Sequence, residues 1–325
     1  MAHSLSFLLM ILSTQTNKLT NQQQQYIYMY IYLYIYIYIF IYILYTCKNN
    51  NNKHITKNTN ETSWEFTWRP EYLYDWMHEN AWFPLVCVCI YLVGIVMGPM
   101  YMEHREPYVM RKTLAAWNLA LSIFSWIGLA RTLPATVHNL YTYGFNNYLC
   151  MDPENSIGAS AAGMWCLFFV LSKPAELFDT FFIVAHKKNL MLLHWYHHVT
   201  VLLCTWYSFV THSPPGLIYS TINYGVHAVM YFYYFLMAIK CKPKWFNPKW
   251  ITVAQIIQMV IGSVVSMAAF SVVQKEGCWA TFENNTGILI MYVSYFFLFL
   301  QFFLQRYGYG FKVSAAKTKL ANKTE

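Results

Sequence analysis

The chain has 325 residues, of which 57% are hydrophobic, 19% aromatic and only 11% charged, with a net charge of +8. A soluble domain carries roughly 25% charged residues, so this composition excludes an ordinary water-soluble globule and points to repeated membrane spans. The positive charge lies between apolar runs instead of in one patch or tail, which argues against a nucleic-acid partner. The eight cysteines contain no Cys-x-x-Cys pair, which argues against a zinc site.

Residues 1–62 read as a low-complexity extension outside the functional chain. The apolar run Phe7–Leu12 follows no charged stretch and does not make a signal peptide. Tyr26–Tyr45, "YIYMYIYLYIYIYIFIYILY", alternates aromatic and aliphatic residues with period two. That is a strand rhythm with aggregation character, but a TA dinucleotide repeat encodes Tyr-Ile in every frame. The Gln and Asn runs on either side are equally simple, so the segment reads as translated repeat DNA. Residues 63–312 form the expected membrane domain and 313–325 a cytosolic tail.

Seven apolar segments follow, near 83–100, 114–133, 161–185, 191–210, 217–239, 250–273 and 287–305, which predicts an all-α polytopic membrane protein. The intervening loops alternate in basic charge. The first carries Arg105, Arg111 and Lys112, the third Lys187 and Lys188, the fifth Lys240, Lys242, Lys244 and Lys249, and the tail Arg306 and Lys312. The second and fourth carry no Lys or Arg and the sixth only Lys275. The positive-inside rule then puts the odd loops and the C-terminus in the cytosol and the N-terminus in the lumen, or in the cytosol if Tyr26–Tyr45 is an extra span. Cys150 and Cys278 fall in non-cytosolic loops, where they are either bridged or two free thiols. Asn284-Asn285-Thr286 is a glycosylation sequon on that side, whereas Asn322-Lys323-Thr324 lies on the cytosolic side.

Ionisable residues inside a membrane are costly and mark function by default. Span three contains Lys173, Glu176, Asp179 and Thr180 at the spacing of one helical face, and span four opens with His194, His197 and His198, again on one face. Span five carries Asn223, His227, Met230, Tyr231 and Tyr234, span six Gln255 and Gln258, and span two Asn118. Most of these lie roughly 8–12 Å inside the cytosolic end of their helices at ~1.5 Å per residue. They form a polar layer, with an apolar compartment beyond it toward the lumen. Lys173, Glu176 and Asp179 also fit a structural ion-pair network, the glutamines fit interhelical hydrogen bonds, and the tyrosines fit packing.

Several chemistries fit such a layer. The His-x-x-His-His box resembles that of di-iron lipid desaturases and hydroxylases, but such enzymes need about eight imidazoles and only four of the 11 histidines lie in the layer. A zinc held by three ligands is formally possible. A seven-helix receptor shares the topology but not the ionisable layer. What fits best is an imidazole acting as nucleophile and general base, oriented by Asp179 or Glu176.

Four motifs carry a resemblance to the very-long-chain fatty acid elongases (ELO family): K-x-x-E-x-x-D-T at Lys173–Thr180, H-x-x-H-H at His194–His198, H-x-x-M-Y-x-Y-Y at His227–Tyr234, and T-x-x-Q-x-x-Q at Thr252–Gln258. The resemblance covers residues 64–312, and the spelling of the second and third motifs is closer to the subgroup acting on saturated and monounsaturated chains. It implies seven helices in the endoplasmic reticulum membrane, the last six forming a barrel around a tunnel closed at its luminal end. It implies condensation of a long-chain acyl-CoA with malonyl-CoA to 3-oxoacyl-CoA, CoA and CO2, without a cofactor or metal. His197 is then the acyl carrier, and His227 faces it. His194 and His198 complete the box, with Asp179, Lys173, Glu176, Asn118, Asn223, Tyr231, Gln255 and Gln258 in support. Asn223, Gln258 and Tyr231 are alternative oxyanion donors. Lys187, Lys188, Lys240, Lys242, Lys244 and Arg306 would meet the CoA phosphates. Cys204 is the alternative nucleophile. The resemblance further implies a Cys150–Cys278 disulfide. Its expected partners are the bilayer, the ketoreductase, dehydratase and enoyl reductase of the elongation cycle, and a second copy of the chain. The tail "LANKTE" lacks a dilysine retrieval signal.

Overall fold

The computed structural model describes residues 71–153, 161–241, 243–275 and 277–308. The readings made for residues 1–62, for Lys242 and for the tail after 308, including Lys312 and the Asn322 sequon, lie outside them. The described chain is helical: α1 (Glu71–Glu79), α2 (Phe83–Met102), α3 (Arg111–Tyr143), α4 (Phe145–Tyr148), α5 (Ala161–Glu176), α6 (Phe178–Ala185), α7 (Leu192–Val210), α8 (Gly216–Ala238), α9 (Lys249–Val272) and α10 (Phe282–Tyr307). Among these residues there is no strand.

Four of the helices, α2, α3, α9 and α10, are each long and apolar enough to cross a membrane. In α7 and α8 the histidines, tyrosines, Thr200 and Asn223 lower the mean hydropathy over lengths of 19 and 23 residues. The third apolar segment is a broken helix. Pro174 has no N–H to give and its ring crowds the preceding turn, and α5 ends at Glu176. Leu177 separates it from α6, whose Thr180 amide closes a tight turn onto the Leu177 carbonyl at 3.2 Å. Lys173 and Glu176 therefore sit on α5, while Asp179 and Thr180 sit on α6.

α3 runs well beyond the segment expected at 114–133. Pro134 does not stop it, and it ends ten residues later than predicted, at Gly144, whose φ of +74° is left-handed. The extension escapes a hydropathy reading because its buried face is polar. Thr132 and Thr136 return their hydroxyls to the carbonyls four residues back, at 2.9 and 3.0 Å, and Thr136 also meets Thr221 of α8 at 2.8 Å. α3 and α8 lie close together along their lengths. A Cβ at Gly128 would stand 2.4 Å from the Tyr224 ring, and Ser122 donates to the Ala228 carbonyl at 2.9 Å. Small residues that allow this approach are how helices pack where apolar transfer gives no driving force. α9 and α10 use the same device, Gly262 receiving the Tyr292 ring.

α10 begins five residues before its expected apolar run. Thr281 caps it by accepting from the Asn284 amide. Asn284 and Asn285 are buried in this first turn, where Asn284 accepts from Ser208 at 2.8 Å and Asn285 donates to the Ser266 carbonyl at 2.9 Å. The sequon at Asn284 is thus enclosed by packing and is not an accessible glycan acceptor in the folded chain. Cys150 and Cys278 are joined by a disulfide, with their Cα atoms 4.8 Å apart, so the segment after α4 is tied to the loop before α10.

α1 was not anticipated as an element. Its Met77 is fully buried, the Trp206 indole donates to the Met77 carbonyl at 3.3 Å, and Asn80 caps its end by donating to the Trp76 carbonyl at 2.8 Å.

Gly128→Ala pushes the Tyr224 ring off its seat and costs about 1–3 kcal/mol as an overpacked contact. The expected result is a lower thermal midpoint for the detergent-purified protein, with Gly144→Ala lowering it by a different route, backbone strain.

Candidate active site

The first two turns of α7 present the three histidines, and neighbouring helices fix them. His194 Nε2 is 2.9 Å from the Thr180 hydroxyl of α6, which is itself 2.8 Å from the Tyr91 hydroxyl of α2. The His198 ring stands edge-on to His194, with centroids 4.5 Å apart. His197 lies between α8 and α10. Its ring centroid is 6.5 Å from that of His227 and 5.1 Å from that of Tyr295. The Tyr295 hydroxyl donates to the His197 carbonyl at 3.1 Å and also pairs with Thr200. The backbone beneath His197 is thereby held by α10.

The carboxylates do not touch the imidazoles. Asp179 accepts from the Trp117 indole at 2.6 Å on one oxygen and from the Tyr231 hydroxyl at 2.7 Å on the other. It joins α3, α6 and α8. Glu176 accepts from Lys173 at 2.7 Å and from Ser172 at 2.9 Å, all on one oxygen. This buried ion pair matches the structural alternative read from the sequence. Neither carboxylate is the hydrogen-bond partner of His194, which is Thr180. Tyr231 is corrected as a ready oxyanion donor, since its single hydroxyl proton is committed to Asp179. A hydrogen bond to a charged group is worth about 1.5–3 kcal/mol.

Two cavities meet at His197. The first is apolar, with about 790 Å³ of space not filled by atoms, open solvent included. It is walled by α5, α7, α8, α9 and α10 and reaches from His197, Asn223 and Gln258 to Tyr74, His212 and Ser213. The second, about 1270 Å³ on the same measure, is more polar and is lined by His194, His198, His227, Tyr231, Gln255 and Arg306 among others. It lies at the α7 and α9 N-termini and the α8 and α10 C-termini, where Met191, Pro248 and Tyr307 border it. Among the described residues His197 is the one that lines both.

The remaining candidates fall apart by location. Gln258 and Asn223 face the first cavity and Gln255 the second, its amide 3.3 Å from the Met230 sulfur. The buried Oδ1 of Asn223, Nδ1 of His198 and Oε2 of Glu176 have no hydrogen-bond partner among the described residues. Asn118 lines neither cavity and donates to its own helix, at the Leu114 carbonyl, at 2.7 Å. Lys187 and Lys188 follow α6 outside both linings, with Lys187 donating to the Glu103 carbonyl at 3.0 Å. Cys204 lines the first cavity only, two helical turns past His197. Among the described residues no group of three or more His, Cys, Asp or Glu side chains is arranged to hold a metal ion. Tyr295, Trp117, Tyr91 and Thr200 were missed by sequence reasoning. Buried tyrosines and tryptophans seek a partner for their polar ends, but spacing along one helix cannot say which helix supplies it.

The family model that matches the chain is ELO (GNS1/SUR4 family), over residues 76–318. The chain is 40% identical over 233 residues to very long chain fatty acid elongase 6 of Gallus gallus, covering 72% of this chain and 87% of that relative. It is 40% identical over 232 residues to very long chain fatty acid elongase 3 of Homo sapiens, covering 70% and 84%. With fatty acid elongase 3 of Trypanosoma cruzi it shares 34% identity over 290 residues, covering 80% and 95%. The four motifs, the helices that carry them and these similarities agree: the chain belongs to the ELO family of fatty acid elongases.

Proposed function

We propose that His197 is the acyl carrier of the condensing reaction, holding an acyl chain in the apolar cavity while malonyl-CoA is presented from the polar one. As a member of its family the protein is an acyltransferase of fatty acid elongation that performs the condensing step. The single observation that supports the assignment is that, among the described residues, His197 alone lines both cavities. A group that receives an acyl chain from one substrate and passes it to another must be reached by both.

The chemistry follows. The neutral His197 imidazole attacks the acyl-CoA thioester carbonyl, and the carbon–sulfur bond breaks with the proton passing to the CoA thiolate. The product is an acyl-imidazole, an activated acyl donor. Malonyl-CoA then loses CO2, and the electron pair of the broken bond becomes the carbanion that attacks the acyl carbonyl. The acyl–nitrogen bond breaks, and the departing imidazolide takes a proton from water, releasing 3-oxoacyl-CoA and the free imidazole. No step in this scheme passes through a metal or redox cofactor. His227, across the gap from His197, is suited to hold the malonyl group. Asn223 and Gln258, beside His197 in the apolar wall, are suited to meet the developing oxyanion, the amides aimed where charge forms. Arg306 offers charge to the CoA phosphates at the open end.

The chain is expected to cross the endoplasmic reticulum membrane seven times, as α2, α3, α5 with α6, α7, α8, α9 and α10, the last six forming a barrel around the apolar tunnel. The basic loops then face the cytosol together with the polar cavity and the C-terminus, and the described N-terminal segment before α2 lies in the lumen. Saturated and monounsaturated acyl-CoAs are the expected substrates. The ketoreductase, dehydratase and enoyl reductase of the cycle, and a second copy of the chain, are the expected partners.

Purified protein given acyl-CoA and labelled malonyl-CoA is expected to release 3-oxoacyl-CoA. His197→Ala reduces this by at least about 10⁴-fold if it removes the nucleophile, whereas Cys204→Ala leaves it within a few-fold. The reverse pattern would reassign the carrier to Cys204. Asp179→Asn and Tyr231→Phe each weaken the same contact, so in a double-mutant cycle of thermal stability the pair is expected to couple by about 1–3 kcal/mol. Additive losses would mean that the contact contributes nothing.

A further inference from the structure

The apolar cavity has an end, and the residue there does not belong to the helices that form its walls. Its lining follows one face of α7 through His197, Val201, Cys204, Ser208 and His212. Fifteen residues at 1.5 Å each make this path ~22 Å long. At the far end His212 stands just past α7 with φ +52°, and the Ser213 amide closes back to the Ser208 carbonyl at 3.0 Å. That closure is a helix C-cap, so the His212 position is set by backbone. Over it lies Tyr74. Its ring stacks flat on Phe209 at 4.4 Å and 3°, and its centroid is 4.4 Å from that of His212. Of the lining residues Tyr74 alone comes from α1. Burial pushes the His212 imidazole below the ordinary histidine value, with His78 acting in the same direction and Asp152 and Asp75 opposing. Burial thus disfavours the charged form of His212 at the end of the cavity, which suits a methyl terminus.

α1 is fixed where it can act as a stop. Met77 is fully buried, and the Trp206 indole holds the Met77 carbonyl. Trp76 packs on Trp206 and Phe83 at 6.2 and 6.0 Å. These contacts secure the helix independently of Tyr74, so shortening Tyr74 opens the end without releasing α1.

We propose that α1 is the end-stop of the acyl cavity and that the Tyr74 ring sets the longest chain the enzyme makes. The proposal rests on the cavity holding an acyl chain with its carboxyl end at His197. A chain too long for the space must displace an aromatic stack and a buried helix, whereas a shorter one meets only apolar wall.

The test is the product-length profile of purified protein with a graded set of saturated acyl-CoAs and labelled malonyl-CoA. Tyr74→Ala is expected to extend the limit by at least one two-carbon step, raising the rate at the first chain length beyond the wild-type limit by about tenfold or more. Rates with shorter chains, which do not reach the Tyr74 ring, change less than the rate at that first longer chain. Tyr74→Phe keeps the wild-type limit and Tyr74→Trp shortens it. An active Tyr74→Ala protein with an unaltered profile would overturn the proposal while leaving the condensing role of His197 intact. Wild-type protein that condenses nothing would overturn the reading on which it rests. A second measurement needs no variant: an acyl-CoA bearing a terminal diazirine, bound to wild-type protein and photolysed, is expected to label Tyr74, Phe209 or His212. Labelling confined to residues near His197 would contradict the placement of the chain.

Discussion

Polar side chains inside an apolar bundle must find their partners within the protein, because hydrocarbon offers none. In this chain the constraint is met by a few cross-helix links, and those links decide where everything else stands. Trp117, Asp179 and Tyr231 join α3, α6 and α8. Tyr91, Thr180 and His194 join α2, α6 and α7. Lys173 and Glu176 neutralise each other within α5. His197 keeps its ring open to the cavities while its carbonyl is held by Tyr295.

Rigidity and reactivity are thus divided among neighbours. Asp179 is a carboxylate in the polar layer, and its two oxygens accept from Trp117 of α3 and Tyr231 of α8. Its value is geometric: a broken helix such as α5–α6 needs an anchor just after the break, and Asp179 supplies one in the first turn of α6. The small residues of α3 complete the frame. Gly128 and Ser122 let α8 approach closely enough to place His227 opposite His197.

Much of this was legible in the sequence. The seven apolar runs coincide with helices, because their length and composition leave few other structures. The histidines and Asn223, Gln255 and Gln258 do line cavities, since buried polar groups at helical spacing must face inward. Three things were not legible. The extension of α3 past Pro134 is buried through threonines that satisfy themselves on their own backbone, and hydropathy reads such residues as loop. The partners of Asp179 come from other helices, and spacing along one helix is silent on them. The role of α1 depends on where a nine-residue helix docks, and it does so through Met77, Trp76 and Tyr74 in a segment too short to stand out by period. Asn118, Lys187 and Lys188 are placed apart from the cavity walls. Their positions suggested the site, but Asn118 bonds to its own helix and the lysines lie outside both linings.

The central claim is that one imidazole between two cavities carries the acyl group. The most direct measurement is tandem mass spectrometry of peptides from protein incubated with acyl-CoA in the absence of malonyl-CoA. The account predicts an acyl mass on the peptide containing His197, localised to that ring and discharged when malonyl-CoA is added. An acyl mass on Cys204, or a His197 adduct that malonyl-CoA fails to discharge, would contradict it.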